Sequence, residues 1–262
     1  MSYARRGRRK HTEPRTLSSN LEGLTRVDGS ARFAFGPSST GIAIFKFPHI
    51  FSSLGESSTL ASISGPIEVR IAAEQPSTAT FEVSHRPLSG IPGTQSKALS
   101  ANVRAALLPA LILTQNPRTL IQLVIQSLTP TKSRLSDTLV AASVNASTLA
   151  LLDAGSVPMR AIVCAVAIGR LTNDKTLLVD PDSEEEPHLD ASGCFAFAFG
   201  RGPDDARCVW ANWRSMSGGA GYDEEEVAEA KEMARVAAKK VWRHVKEVFG
   251  EGDDDGSDGM EI

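Results

Sequence analysis

Residues 137–155 read DTLVAASVNASTLALLDAG, and no other stretch restricts the possible folds as tightly. Apolar and small residues run nearly all the way round its helical wheel, interrupted only by Ser143, Asn145, Ser147, Thr148 and Asp153. Such a helix is covered on several sides rather than laid on a surface. Ser136 and Asp137 offer capping oxygens to its first free N–H groups, and Gly155 followed by Pro158 forms a stop signal. Strand-like runs flank it at 119–128 and 161–169, so the local order is strand, helix, strand, the pattern of a βαβ crossover. A helix N-terminus beside a strand end is also an anion site. Whether this one still holds an anion is the functional question.

The remainder of the chain supplies more strands and two further helices. Residues 26–33 read as an Asp-Gly turn feeding a strand. Residues 59–72 and 79–84 alternate well enough to be two strands, expected as an antiparallel pair with Pro76 as the breaker. Leu99, Val103, Ala106, Leu107 and Ala110 recur at helical spacing within 97–113, with Pro109 placed to kink or end that helix. Residues 193–200 and 206–213 form a terminal hairpin, and 223–249 form an amphipathic helix that starts acidic and finishes basic, matching the helix dipole. Strands interleaved with three helices fit a mixed α/β domain whose helices cover sheet faces.

The ends are charged and unpatterned. The net charge of -3 hides a basic start (MSYARRGRRK) and an acidic finish after residue 250. Residues 1–22 are expected to be a disordered basic tail, 23–249 the folded domain, and 250–262 a disordered acidic tail, with 41–58 an insertion that is either an added strand or a loop. Cys164, Cys194 and Cys208 lack CxxC spacing, which predicts reduced thiols and no metal site. No apolar run is long enough to cross a bilayer. His11, His49, His85, His188 and His244 are scattered, and none sits in a nucleophile motif.

Four stretches in this order resemble the ribonuclease PH family: 24–36 (LTRVDGSARFAFG), 61–70 (ASISGPIEVR), 145–159 (NASTLALLDAGSVPM) and 180–186 (DPDSEEE). Within the family, the 145–154 segment and the form of the acidic loop are most similar to ring subunits of the eukaryotic RNA exosome. The resemblance implies the ribonuclease PH-like fold, of the ribosomal protein S5 domain 2 type, with paired subunits in a six-membered ring that RNA threads. It implies as partners other ribonuclease PH-like ring subunits, RNA-binding cap subunits, exosome-associated ribonucleases and single-stranded RNA, in the nucleus, nucleolus and cytoplasm. It implies no cofactor.

Catalytic relatives cleave the RNA 3′ end with inorganic phosphate as nucleophile, which calls for fixed cations beside a helix N-terminus. Where active relatives carry a Gly-Thr-Arg-like triplet, this chain has Asp137, Thr138 and Leu139. A second arginine-bearing segment is matched by Thr94, Gln95 and Ser96, with only Lys97 positive. In the acidic loop, Asp180 matches the first carboxylate of the active pattern and Glu186 the second, one methylene longer; a solvated acidic turn is the blander reading. The expectation is a ring subunit without catalysis, in which Lys97, Lys132 and Arg134 offer cations to RNA or serve as ordinary surface charges. The rival is a phosphate-dependent 3′–5′ exoribonuclease using Asp180, Glu186 and a relocated cation such as Arg134.

Overall fold

The computed structural model describes residues 9–36, 57–130, 136–172, 174–216 and 221–250. Lys132, Arg134, most of the 41–58 segment and the chain ends at 1–8 and 251–262 lie outside the described residues.

Two sheets sandwich the alanine-rich helix. The first holds β1 (Leu17–Leu21), β2 (Gly29–Phe35), β3 (Ser57–Glu68), β4 (Thr80–Arg86) and β5 (Thr119–Ser127) in the order β1-β2-β3-β5-β4. The second is built on β6 (Ile162–Leu171), β7 (Leu177–Val179) and β8 (Leu189–Phe199), with β9 (Ala206–Ala211) and β10 (Arg214–Ser215) following one another along the free edge of β8. Three helices complete the fold: α1 (Thr94–Leu107), α2 (Asp137–Ala154) and α3 (Glu224–Val248). Alternate residues Ala31, Phe33, Phe35, Ala61, Ile63, Ile121, Leu123 and Ile125 of the first sheet are fully buried, as are most side chains of β6 and β8.

Helix α2 behaves as its composition predicts, with residues 137–151 all buried. Small side chains let the strands approach closely: a Cβ on Gly29 of β2 would lie 2.4 Å from the Ala150 carbonyl oxygen. Asn145 is a satisfied buried amide, accepting from the Ala165 N–H at 2.8 Å and donating to the Ala165 carbonyl at 2.9 Å. Thr148 donates to the Val163 carbonyl at 2.8 Å. These two side chains serve β6 backbone groups beyond the reach of β7, which pairs only with Ile168–Arg170. Gly155 ends the helix in the left-handed region, with φ of 60°.

Four expectations need correction. The first concerns β3 and β4, which are not a pair: β5 lies between them, antiparallel to β3 and parallel to β4. The βαβ crossover is therefore β4-α1-β5, because parallel neighbours need a long connection and α1 provides it. Second, β5-α2-β6 is not a crossover, since β5 and β6 belong to different sheets with α2 between them.

Third, residues 9–22 are not a disordered tail. Leu17–Leu21 pairs antiparallel with β2, and the preceding segment is tied down by its arginines. Fourth, the helix start at Ser136 makes no side-chain cap, because that hydroxyl and the Asp137 carboxylate are drawn to other partners. Elsewhere, α1 ends at Leu107 and passes into a 3-10 turn over Leu108–Ala110, as Pro109 requires.

Candidate functional site

The start of α2, the end of β5 and the first turns of α1 enclose a cleft of about 230 Å³. Among the described residues its wall includes Gln95, Ser96, Ser127, Ser136, Leu139 and His85. Both segments where the resemblance expects arginines therefore converge here. Neither delivers a charge: no Lys, Arg, Asp or Glu appears among the described residues that line the cleft. Lys97 is exposed on α1 and faces a neighbouring groove with Ser100 and Arg104. The Arg104 Nε donates to the Phe81 carbonyl at 3.1 Å, a structural tie between α1 and β4.

Asp137 turns away from the cleft toward the second sheet. It is buried and accepts from Ser192 Oγ at 2.6 Å, Arg214 Nη2 at 2.9 Å and Asn212 Nδ2 at 3.3 Å. Burial pushes its pKa up, against the opposing pull of Arg214 and the three hydrogen bonds. Its charge is thus offset by Arg214, across the start of α2 from the cleft. Thr138 donates to the Pro181 carbonyl at 3.1 Å, and Leu139 puts an aliphatic side chain on the cleft wall.

The acidic loop is buried and structural rather than a solvated turn. Asp180, Asp182 and Glu185 are at most 5% exposed. The Asp182 carboxylate accepts from the Glu185 N–H at 2.9 Å, while the Glu185 carboxylate accepts from the Asp182 N–H at 3.0 Å, a reciprocal capping box. Asp180 accepts from Arg15 Nε at 2.8 Å, Nη2 at 2.6 Å and the Arg15 backbone N–H at 2.9 Å. Arg9 also reaches Glu185, at 3.5 Å. Glu186 accepts from Ser136 Oγ at 2.6 Å, and burial raises its pKa. Asp180 and Glu186 are thus bound to separate partners.

Sequence reasoning missed Arg9 and Arg15, whose segment offers only Leu17 and Leu21 as an apolar pattern. It also missed the pairing of His85 Nε2 with Ser127 Oγ at 2.8 Å inside the cleft. Burial lowers the pKa of His85, so the ring is neutral at neutral pH and adds no cation there. His244, against Ser19 Oγ at 2.8 Å, is lowered for the same reason.

A depressed histidine pKa means that below about pH 6.5 the unfolded chain takes up protons that the fold refuses. Stability contributed by these two rings is present above that pH and is lost as pH falls toward their folded values. Asp137 and Glu186, with raised values, act in the opposite sense. Comparison of urea midpoints at pH 7.5 and 5.5 between the wild type and a His85→Gln/His244→Gln variant isolates the histidine part. The wild type is expected to lose more stability on acidification than the variant.

Residues 13–156 match the profile of the 3′ exoribonuclease family, domain 1, the ribonuclease PH family. This chain belongs to that family. Among the ribonuclease PH relatives, the exosome complex component rrp46 of Schizosaccharomyces pombe is 39% identical over 112 residues, 43% of this chain and 47% of that protein. The Saccharomyces cerevisiae exosome complex component RRP46 is 29% identical over 132 residues, 50% of this chain and 59% of the relative. These alignments span about half the length of each relative. The exosome complex component Rrp41 of Thermococcus onnurineus is 30% identical over 191 residues, 68% of this chain and 73% of that protein. The ribonuclease PH-like fold is shared with rice (Oryza sativa) Rrp46, with a TM-score of 0.74 at 22% identity over 92% of this chain and 98% of that one. A chain of an archaeal exosome core superposes with a TM-score of 0.67 at 17% identity, over 91% of this chain and 89% of that one.

Proposed function

We propose that the protein is a non-catalytic ring subunit of an RNA exosome, which pairs with other ribonuclease PH-like chains and helps to line a passage for single-stranded RNA. RNA-binding cap subunits and exosome-associated ribonucleases are its further partners in this reading, in the nucleus, nucleolus and cytoplasm. The names of its relatives support the assembly part. The carrying observation for the loss of catalysis is the cleft at the start of α2, whose described lining has no fixed charge.

Each charge-assisted hydrogen bond that an arginine would give to phosphate is worth about 1.5 to 3 kcal/mol. The hydroxyls and amides of this cleft do not replace two such forks. RNA binding through Lys97, Lys132 and Arg134 remains part of the proposal, as does the role of Asp137, Thr138, Leu139, Asp180 and Glu186 as the altered remnants of a catalytic site.

Titration of the isolated protein with inorganic phosphate, against sodium chloride of matched ionic strength, tests the cleft. The expected result is no saturable binding and no thermal stabilisation beyond the chloride control. Saturable binding that Leu139→Glu abolishes would overturn the reading and favour the phosphorolytic alternative.

A further inference from the structure

The basic half of α3 exceeds what its helix dipole calls for. Residues 233–246 contain Arg235, Lys239, Lys240, Arg243 and Lys246 and not one Asp or Glu. Dipole complementation acts within the last turn. Here the cations run back through more than three turns, and Lys231, Arg235, Lys239 and Arg243 follow one another at four-residue intervals. Each interval advances about 6 Å along the axis, so the ladder covers about 18 Å.

The opposite side of the helix is used for packing: Ala230, Ala234, Ala237, Ala238, Val241, Trp242 and Val245 are buried. Lys231, Lys240 and Arg243 are exposed, and Arg235 and Lys239 are half-buried beside them.

Acidic groups touch the ladder at few points. Glu232 pairs with Arg235, and Asp204, at the tip of the β8-β9 hairpin, accepts from Lys239 Nζ at 2.7 Å. Lys246 stands over the Trp242 ring, 4.9 Å from its centroid. Among the described residues, Arg243 and Lys240 form no salt bridge. The hydrogen bond from Lys239, followed by the charges of Lys239, Arg235 and Arg243, holds the Asp204 carboxyl below its usual range. None of the described residues lining the cleft belongs to α3.

We propose that the outward face of α3 is a second, sequence-independent RNA surface, on which Lys231, Arg235, Lys239 and Arg243 track the phosphates of a single strand. A linear row of cations suits a phosphate backbone, which rewards charge at regular intervals and needs no socket. An acidic protein partner fits the face less well. Protein interfaces centre on buried aromatic and apolar anchors, and Val236 is the single large apolar residue exposed along α3. This proposal does not rest on the reading of the cleft.

The test is fluorescence anisotropy of a labelled single-stranded oligouridylate with the full chain over a series of salt concentrations. Replacing Arg235, Lys239 and Arg243 together by glutamine is expected to weaken binding at least about tenfold at low salt. The slope of log affinity against log salt should also become shallower by about 2, at about 0.7 for each phosphate left without its cation. Asp204→Asn, which frees Lys239 from its carboxylate, is expected to tighten binding about two- to threefold. Damage to the fold would not produce that gain.

Unchanged affinity and slope in the triple variant would overturn the proposal, as would failure of the wild type to bind the RNA. Loss of binding to a polyglutamate probe with RNA binding intact would reassign the face to an acidic protein and equally defeat it. None of these readouts involves phosphate turnover, so failure here and failure of the cleft reading are told apart.

Discussion

Arg15→Ala is expected to lower the unfolding free energy by about 3 to 5 kcal/mol, the usual cost of removing one partner from a buried ion pair. Asp180 is fully buried, and Arg15 supplies both arms of its fork and its backbone N–H to that carboxylate. Without the guanidinium, Arg9 stands 3.6 Å away as a partial substitute, which places the loss toward the lower end of that range.

Removing both partners should cost less than removing one. Asparagine is the suitable replacement for Asp180 because this position has a φ of 51°, a left-handed conformation that Asn tolerates. Arg15→Leu combined with Asp180→Asn is therefore expected to recover part of the stability lost by Arg15→Ala, read as a urea midpoint. A loss below about 1 kcal/mol for the single variant would mean that the segment before β1 is peripheral to the fold.

Arg170→Met is the second large effect, also expected at about 3 to 5 kcal/mol. The Arg170 side chain is fully buried and meets Asp190 at 2.7 Å and Glu226 at 2.5 Å, so one guanidinium joins β6, β8 and the first turn of α3. It also donates to the Gly221 carbonyl at 3.1 Å. Methionine fills much of the volume and leaves two carboxylates facing each other. For a domain of this size the loss corresponds to a fall in melting temperature of about 6 to 20 °C. Addition of Asp190→Asn and Glu226→Gln should return most of it. Arg170→Lys should fall between, since a point charge cannot hold two carboxylates with a planar fork.

These two arginines mark the boundary of what was legible in the sequence. Residues 137–155 announced α2 because an all-round apolar face and a Gly stop are local signals, and the helix runs from Asp137 to Ala154. The amphipathic period of α3 was equally plain. Strand existence was readable for β3, β4 and β5, but alternation says nothing about which strand is the neighbour, and the parallel β4-β5 pairing depends on where α1 packs.

Arg15 and Asp180 are 165 positions apart, so nothing local marks either as buried. That separation is why a stretch reading DPDSEEE looks like a solvated turn and is in fact a capping box locked under a strand-forming arm. At the cleft, the residue types at Asp137 and Leu139 were visible. Their placement was not: Asp137 faces Arg214 rather than the cleft, whose described lining carries no Lys, Arg, Asp or Glu.

Nucleoside diphosphate release from an oligo-RNA substrate, incubated with the purified protein and inorganic phosphate, tests the proposed absence of phosphorolysis most directly. The account predicts no release above the rate without protein, with an intact substrate ladder throughout. Phosphate-dependent release that tracks the protein through purification, and that Leu139→Glu extinguishes in a chain of unchanged stability, would contradict it.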